Sequence, residues 1–314
     1  MEPVRLGRTG LMISPVVFGC NVFDWTVDTA ASHRLLDRMV EAGINTLDTA
    51  DVYNRWVEGH SGGESETVLG KWFAADPSKR DKVVLITKIG GPMPEGRGLS
   101  AKWIEEEVEH SLKRLQTDRI DLYFSHRPDD STPHEETLAA YERLIQSGKV
   151  RTIGASNFDA PRMEAAEAAA KAGGVTPYGA QQPEYNLYTR DVFEGPLAEF
   201  CIAHDVGVIP FFGLAAGFLS GKYRTEADLK GPRGERTISR FLNDRGLKIL
   251  AAMDEVAEET GAKHAEIALA WLRKKPGVTA PIASATSDSQ LDSLVASASL
   301  ELSDSAMAKL DAAG

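Results

Sequence analysis

Asp48, Tyr53, Lys88 and His126 fall in the stretches INTLDTADVY, VVLITK and DLYFSH, each where an apolar, β-branched run gives way to polar residues. A phenol, an ammonium, a carboxylate and an imidazole brought together are proton-transfer equipment. A carbonyl group accepts hydride readily only when its oxygen is protonated as charge builds on it, so a donor is required. Tyrosine, with an ordinary pKa of about 10, donates poorly at neutral pH unless its anion is stabilised, and a neighbouring ammonium would do this. Lys88 is the candidate for that ammonium, and Asp48 supplies the opposite charge that keeps a buried lysine protonated. His126 can donate to the substrate oxygen or share a proton with Tyr53, orienting the carbonyl. The expected roles are donation by Tyr53, tuning by Lys88, charge balance by Asp48 and orientation by His126. Taken singly, each residue type is most often structural; what sets these apart is that all four stand at the ends of successive strand candidates.

Positioning such residues requires elements whose ends converge, and a parallel barrel does this at one mouth. Short β-branched runs alternate with segments of helical periodicity nearly end to end, the pattern of repeated βα units. The strand candidates are SPVVFG, GINTLDTA, KVVLITK, RIDLYFSH, VRTIGAS, YGAQQ, VGVIPFF and VTAPIAS. Helices are expected from Thr29 to Ala42, Ala101 to Leu115, Glu135 to Ser147, Ala160 to Ala172 and Ala265 to Arg273, among others. Ser100 and Asp159 are positioned as caps, with Gly43, Gly148 and Gly173 as stop signals. The first residues, VRLG-RT-GLMIS, read as a hairpin around Gly7 and Gly10, too polar for the wall and placed to plug the barrel floor. The expected fold is thus α/β, a (β/α)8 TIM barrel with an N-terminal β-hairpin capping the floor, and residues 1–314 are expected to form one domain. Tyr223 to Arg245 reads as a long functional loop after the seventh strand.

Composition narrows the function classes. The 314 residues are 42% hydrophobic and 26% charged, as in ordinary soluble proteins. A net charge of −11 argues against nucleic acid, which calls for a concentrated basic stripe. Cys20 and Cys201 stand too far apart in sequence for metal-ligand or C-x-x-C spacing and are expected to be reduced. His60 lies near Glu58 and Glu64 on a glycine-rich stretch without regular ligand spacing, so no metal is expected. MEPVRLGRTG lacks the features of a signal peptide, and no run approaches a membrane span, so a cytoplasmic enzyme is the expectation. EEEVEH and AAEAAAKA read as solvated helix faces.

The chain resembles the aldo-keto reductases over essentially its whole length. The motifs that carry the resemblance are DTADVY, the TK at Lys88, SHRPD at His126, GASN at Ser156 and Asn157, QQPEYNLY and GFLSGKYR, in that order. The resemblance implies reduction of aldehydes or ketones with a nicotinamide cofactor held by strands five to eight. No G-x-G-x-x-G follows the first strand and no P-loop occurs, so the barrel itself would hold the nucleotide. It further implies that Ser156, Asn157 and Gln182 contact the carboxamide and that Phe211 stacks on the nicotinamide where relatives often carry tyrosine. Gly213, Leu214, Gly217 and Lys222 would lie along the pyrophosphate. Ser284, Thr286 and Gln290 occupy the segment where the family recognises the adenosine 2′-phosphate, but no cation stands there. NADP(H) is therefore favoured by family habit, NAD(H) is the rival, and Arg233, Arg236 and Arg240 are candidates for the missing charge.

The expected partner is a small carbonyl compound, with no nucleic acid and no membrane. Trp25 and Trp56 are candidate walls of a pocket for a ring-bearing or bulky substrate. The alternative is a non-catalytic nicotinamide-nucleotide-binding regulatory subunit of the same fold, against which the intact tetrad argues. No self-complementary surface is legible, which leaves the oligomeric state open.

Overall fold

Side chains alternate across a strand, so a residue's parity decides whether it faces the barrel axis or the surrounding helices. The computed structural model describes residues 1–230 and 237–314. The eight strand candidates become β3 (Val17–Gly19), β4 (Thr46–Asp48), β5 (Val84–Ile89), β6 (Ile120–Ser125), β7 (Val150–Ser156), β8 (Ala180–Gln182), β9 (Gly207–Val208) and β10 (Ile282–Ala283). They pair in parallel and in chain order, with β10 returning beside β3. The ring closes between its ends: Val208 pairs with Val278, Thr279 N donates to Val208 O at 2.8 Å, and Ile282 N donates to Pro210 O at 2.9 Å. The fold is a (β/α)8 barrel.

Helices fill the connections. They are α1 (Thr29–Glu41), α2 (Glu64–Ala75), α3 (Ala101–Leu115), α4 (His134–Gln146), α5 (Ala160–Gly173), α6 (Pro196–Ala203), α7 (Asp244–Thr260), α8 (His264–Lys274), α9 (Asp288–Ser297) and α10 (Asp304–Ala313). Ser100 and Asp159 cap α3 and α5 by accepting from Trp103 N and Arg162 N. The stop of α5 is one residue later than expected: Gly173 is its last helical residue, and Gly174 takes the left-handed turn at φ 62°. Within Tyr223 to Arg245 the described residues are not all loop, since single turns lie at Glu226–Asp228 and Ser239–Phe241 and α7 already begins at Asp244. Arg233 and Arg236 lie outside the described residues.

Outward-facing Phe18, Leu47, Leu85, Tyr123, Ile153 and Val208 pack against the helices, whereas Val17, Ile86, Leu122, Phe124, Ala180 and Ile282 form a separate apolar cluster. That second cluster also contains Leu6, Leu11 and Ile13, all but fully buried, from the N-terminal hairpin of β1 (Val4–Arg5) and β2 (Met12–Ile13). The hairpin closes the barrel floor as expected, but through apolar side chains and not as a polar plug. Gly7, at φ 46°, is required there: a Cβ would stand 2.1 Å from Gly207 N and 2.5 Å from Asp205 O. Gly154 is required inside the wall, where a Cβ would meet the Phe124 ring at 2.5 Å.

Candidate active site

The same parity that turns Leu47 outward turns Asp48 inward, and the register aligns Gly19 with Asp48, Lys88 with Phe124 and Ser156 with Gln182. The inward ends of β4, β5, β7 and β8 therefore carry polar groups toward one mouth above the apolar floor. Tyr53 follows on the loop after β4, and His126 follows β6 with its amide donating to Ile89 O at 2.7 Å.

Asp48, Tyr53 and Lys88 form one hydrogen-bonded unit. Lys88 Nζ donates to Asp48 Oδ2 at 2.7 Å, to Thr49 O at 2.8 Å and to Tyr53 Oη at 2.8 Å, which uses all three of its donors. Tyr53 Oη donates to Asp48 Oδ2 at 3.0 Å. Lys88 has no solvent exposure and Asp48 only 1%. Burial, partly offset by Asp48, lowers the Lys88 ammonium from its ordinary value. Burial first and the Asp48 carboxylate second hold the Tyr53 phenol well above its ordinary value. A phenol made more acidic by Lys88 was the expectation; the ammonium is in place, but desolvation and Asp48 outweigh it.

His126 stands edge-on to Tyr53, ring centroids 6.0 Å apart at 74°. Burial, followed by the charges of Lys88 and Arg127, pushes its imidazole well below the ordinary range, so it is neutral and carries one N–H. Its Nδ1 is buried without a hydrogen-bond partner. Trp56, 44% exposed, meets Tyr53 edge-on at 6.2 Å and Trp25 at 5.5 Å, so two indole rings extend in a row from the phenol ring.

The other side of the mouth is neutral. Asn157 is exposed after β7, and its Nδ2 donates to His126 O at 2.9 Å and Ser156 Oγ at 3.1 Å. Ser156 Oγ donates to Gln182 O at 2.8 Å, and Gln182 Nε2 donates to Asp48 Oδ1 at 2.9 Å. That last bond ties the strands of the two halves together and was not foreseen, although the inward parity of Ala180 already implied an inward Gln182. Phe211 is partly buried against the barrel's interior cluster. Beyond it, Phe212, Ala215 and Ala216 all adopt positive φ, and Gly217 follows at φ 104°. Non-glycine residues held there carry strain of the kind found at binding segments. Leu214 packs on the core, Gly213 fits against Leu272 and Leu269, and Lys222 is exposed with Nζ 5.0 Å from the Tyr223 ring.

The remaining candidates lie around the start of α9. Ser284 Oγ donates to Asn21 Oδ1 at 2.7 Å, and Thr286 donates to Gln290 Oε1 through its amide at 2.8 Å and its hydroxyl at 3.1 Å. Asp288, in the first turn of α9, pairs with Arg38 at 2.7 Å. Arg240 is taken by Glu184 at 3.0 Å and lies 4.5 Å from the Phe241 ring. His60 Nε2 lies 3.9 Å from Asp24 Oδ2, while Glu64 accepts from the Ser61 and Gly62 amides. Among the described residues no three His, Cys, Asp or Glu converge as metal ligands, and no helix is long and apolar enough to cross a membrane. Cys20 and Cys201 are free and buried. One reading is overturned: Glu107, within EEEVEH, is not solvated but fully buried, bonded to Arg114 and to His110 Nδ1 at 3.1 Å.

Comparison with known proteins identifies relatives that span most of the chain. An uncharacterized oxidoreductase of Bacillus subtilis is 37% identical over 90% of the chain and 86% of the relative. A probable voltage-gated potassium channel subunit beta of Arabidopsis thaliana is 33% identical over 93% of the chain and 89% of the relative. An aldo-keto reductase of Alternaria alternata is 31% identical over 98% and 90%. The model of the Aldo/keto reductase family matches residues 15–314, and the chain belongs to that family.

Proposed function

We propose that this protein reversibly reduces aldehydes or ketones to alcohols, with Tyr53 as proton donor. The observation that carries the reading is the closed set of bonds among Asp48, Tyr53 and Lys88 inside a mouth where two indole rings extend from the phenol ring. When bound, a nicotinamide nucleotide supplies the hydride. The residues on the other side of the mouth suit its carboxamide and ring: Asn157 and Gln182 offer amides, Ser156 a hydroxyl, and Phe211 a ring face. Tyr53 Oη transfers its proton to the carbonyl oxygen as charge develops, while Lys88 holds the emerging phenolate and Asp48 keeps Lys88 charged. His126, neutral, donates one hydrogen bond that fixes the carbonyl. Trp25 and Trp56 select a ring-bearing or bulky substrate.

Family habit points to NADP(H). At the start of α9 the Asp288 carboxylate argues for NAD(H), whereas its partner Arg38, 42% exposed, brings there the cation that the segment itself lacks. Separate titrations with NADPH and NADH, followed by tryptophan quenching, decide between them. A regulatory subunit is the second functional reading, favoured by the relative named as a channel subunit. Tyr53→Phe separates the two. As an enzyme, the variant binds nucleotide nearly as the wild type does and loses turnover about 100-fold or more, the range of general acid catalysis. Retained turnover on a panel of carbonyl compounds would exclude Tyr53 as the donor.

A further inference from the structure

The first turn of α2 lies outside the barrel wall, directly behind the tetrad, and bonds to the neighbours of each strand residue in it. Ser65 and Glu66 are fully buried. Ser65 Oγ accepts from Thr49 Oγ1 at 2.8 Å, next to Asp48, and donates to Cys20 O at 2.9 Å. Cys20 N in turn donates to Asp48 O at 2.8 Å, and Thr49 O receives Lys88 Nζ at 2.8 Å. Glu66 Oε1 accepts from Thr87 Oγ1, next to Lys88, at 2.6 Å. Gly63 N, at the cap of α2, donates to Asp51 O at 2.6 Å, two residues before Tyr53. Glu66 is itself fixed, since its Oε2 receives Arg114 Nε at 2.6 Å and Arg114 also bonds Glu107 and Ser111.

We propose that Ser65 and Glu66 are positioning residues that set the spacing of Asp48, Lys88 and Tyr53 through Thr49 and Thr87. The proposal rests on the reductase reading of the mouth. Neither residue touches substrate; each fixes a strand residue whose neighbour does the chemistry. Two strand ends and one loop are tied to a single helical turn, so a shift of that turn moves Lys88 relative to the phenol. Misplacement by about 1 Å can cost on the order of 100-fold in rate.

The test compares Thr87→Val, which keeps shape but removes the donor to Glu66, with Thr87→Ser, which keeps the hydroxyl, and with Ser65→Ala. Melting curves establish that each folds. Thr87→Val is expected to lower kcat for carbonyl reduction about tenfold with KM within about twofold, the mark of a transition-state loss. It also moves the basic limb of the pH–rate profile, because that limb reports how Lys88 and Asp48 hold Tyr53. The other groups facing the phenol are Cys20, Asp51 and His126; Asp51 also feels the Glu66 charge, so Thr87→Ser, which keeps the bond to Glu66, is the control for it. Thr87→Ser restores both quantities. If Thr87→Val does not fold, Ser65→Ala decides on the same two readouts. Folded variants with wild-type kcat and an unmoved limb overturn the proposal, as does a loss that Thr87→Ser fails to restore. Should the wild type reduce no carbonyl compound, the reductase reading fails. Positioning is then tested by alkaline titration of tyrosinate absorbance, with Tyr53→Phe identifying the Tyr53 signal, and a midpoint unchanged in Thr87→Val overturns it.

Discussion

Lys88 and Tyr53 are displaced in opposite directions by the same burial. Desolvation disfavours whichever form is charged, so it drives the ammonium down and the phenol up, and Asp48 raises both. As pH rises, Lys88 therefore loses its proton first, below the ordinary ammonium value of about 10.4, while Tyr53 stays protonated past its ordinary value of about 10. Proton donation becomes harder once the lysine is neutral, because nothing then balances the phenolate. The basic limb of kcat/KM is expected to follow Lys88. Lys88→Met removes that step, lowers turnover on the order of 100-fold and moves the remaining limb up to the phenol's own titration. A Lys88→Met profile with the wild-type limb would show that the ammonium does not govern donation. His126 titrates at the other end. Its imidazole is held below the ordinary histidine value of about 6.5, so it contributes no limb there.

Elements decide which of these residues the sequence could reveal. The eight strands were legible because short β-branched runs between polar, glycine-bearing breaks suit strands covered on both faces, and the tetrad followed from their ends. Gln182 was singled out in the sequence as a carboxamide contact but not as a partner of Asp48, since that bond joins positions 134 residues apart. Glu107 and Glu66 were not legible at all. Their charges sit in helices that look amphipathic and solvated; Glu107 and Arg114 share a face of α3, but only three-dimensional packing brings Glu66 of α2 against that arginine. The loop between β4 and α2 was legible by its glycines and by Trp56. There Trp56 packs edge-on against Tyr53 and Trp25 while remaining 44% exposed. On the reductase reading such a ring adds binding area beside the phenol without bonding to its hydroxyl. Trp56→Ala is expected to raise KM for a ring-bearing aldehyde about tenfold, equivalent to about 1.4 kcal/mol, with kcat within about twofold. A short aliphatic aldehyde should show no change. Equal losses for both substrates, measured as kcat/KM, would mean that Trp56 supports the loop and not the substrate.

The whole molecule separates stability from chemistry along the barrel axis. Polar groups gather at the mouth, and the interior below them is closed by Leu6, Leu11 and Ile13 against Ile86, Leu122, Phe124 and Ala180. Barrel enzymes place chemistry at the C-terminal ends of the strands and leave the opposite face to stability. The hairpin is anchored at that face by Arg5 to Asp205 at 2.6 Å and by Arg8 to Glu167 at 2.5 Å, but these pairs are partly to largely exposed and contribute little. Its apolar side chains carry the closure. Leu6 has no exposure, and truncating a buried leucine to alanine costs about 2–5 kcal/mol through lost transfer energy and the cavity left behind. For a chain of this size, Leu6→Ala should lower Tm by about 3–8 °C. Because Leu6 belongs to the floor and not to the mouth, kcat and KM of the folded variant, measured well below its Tm, should match the wild type. Thermal melts and steady-state rates on the same preparation check both halves, and a variant with unchanged Tm but impaired kcat would show that floor and mouth are mechanically coupled.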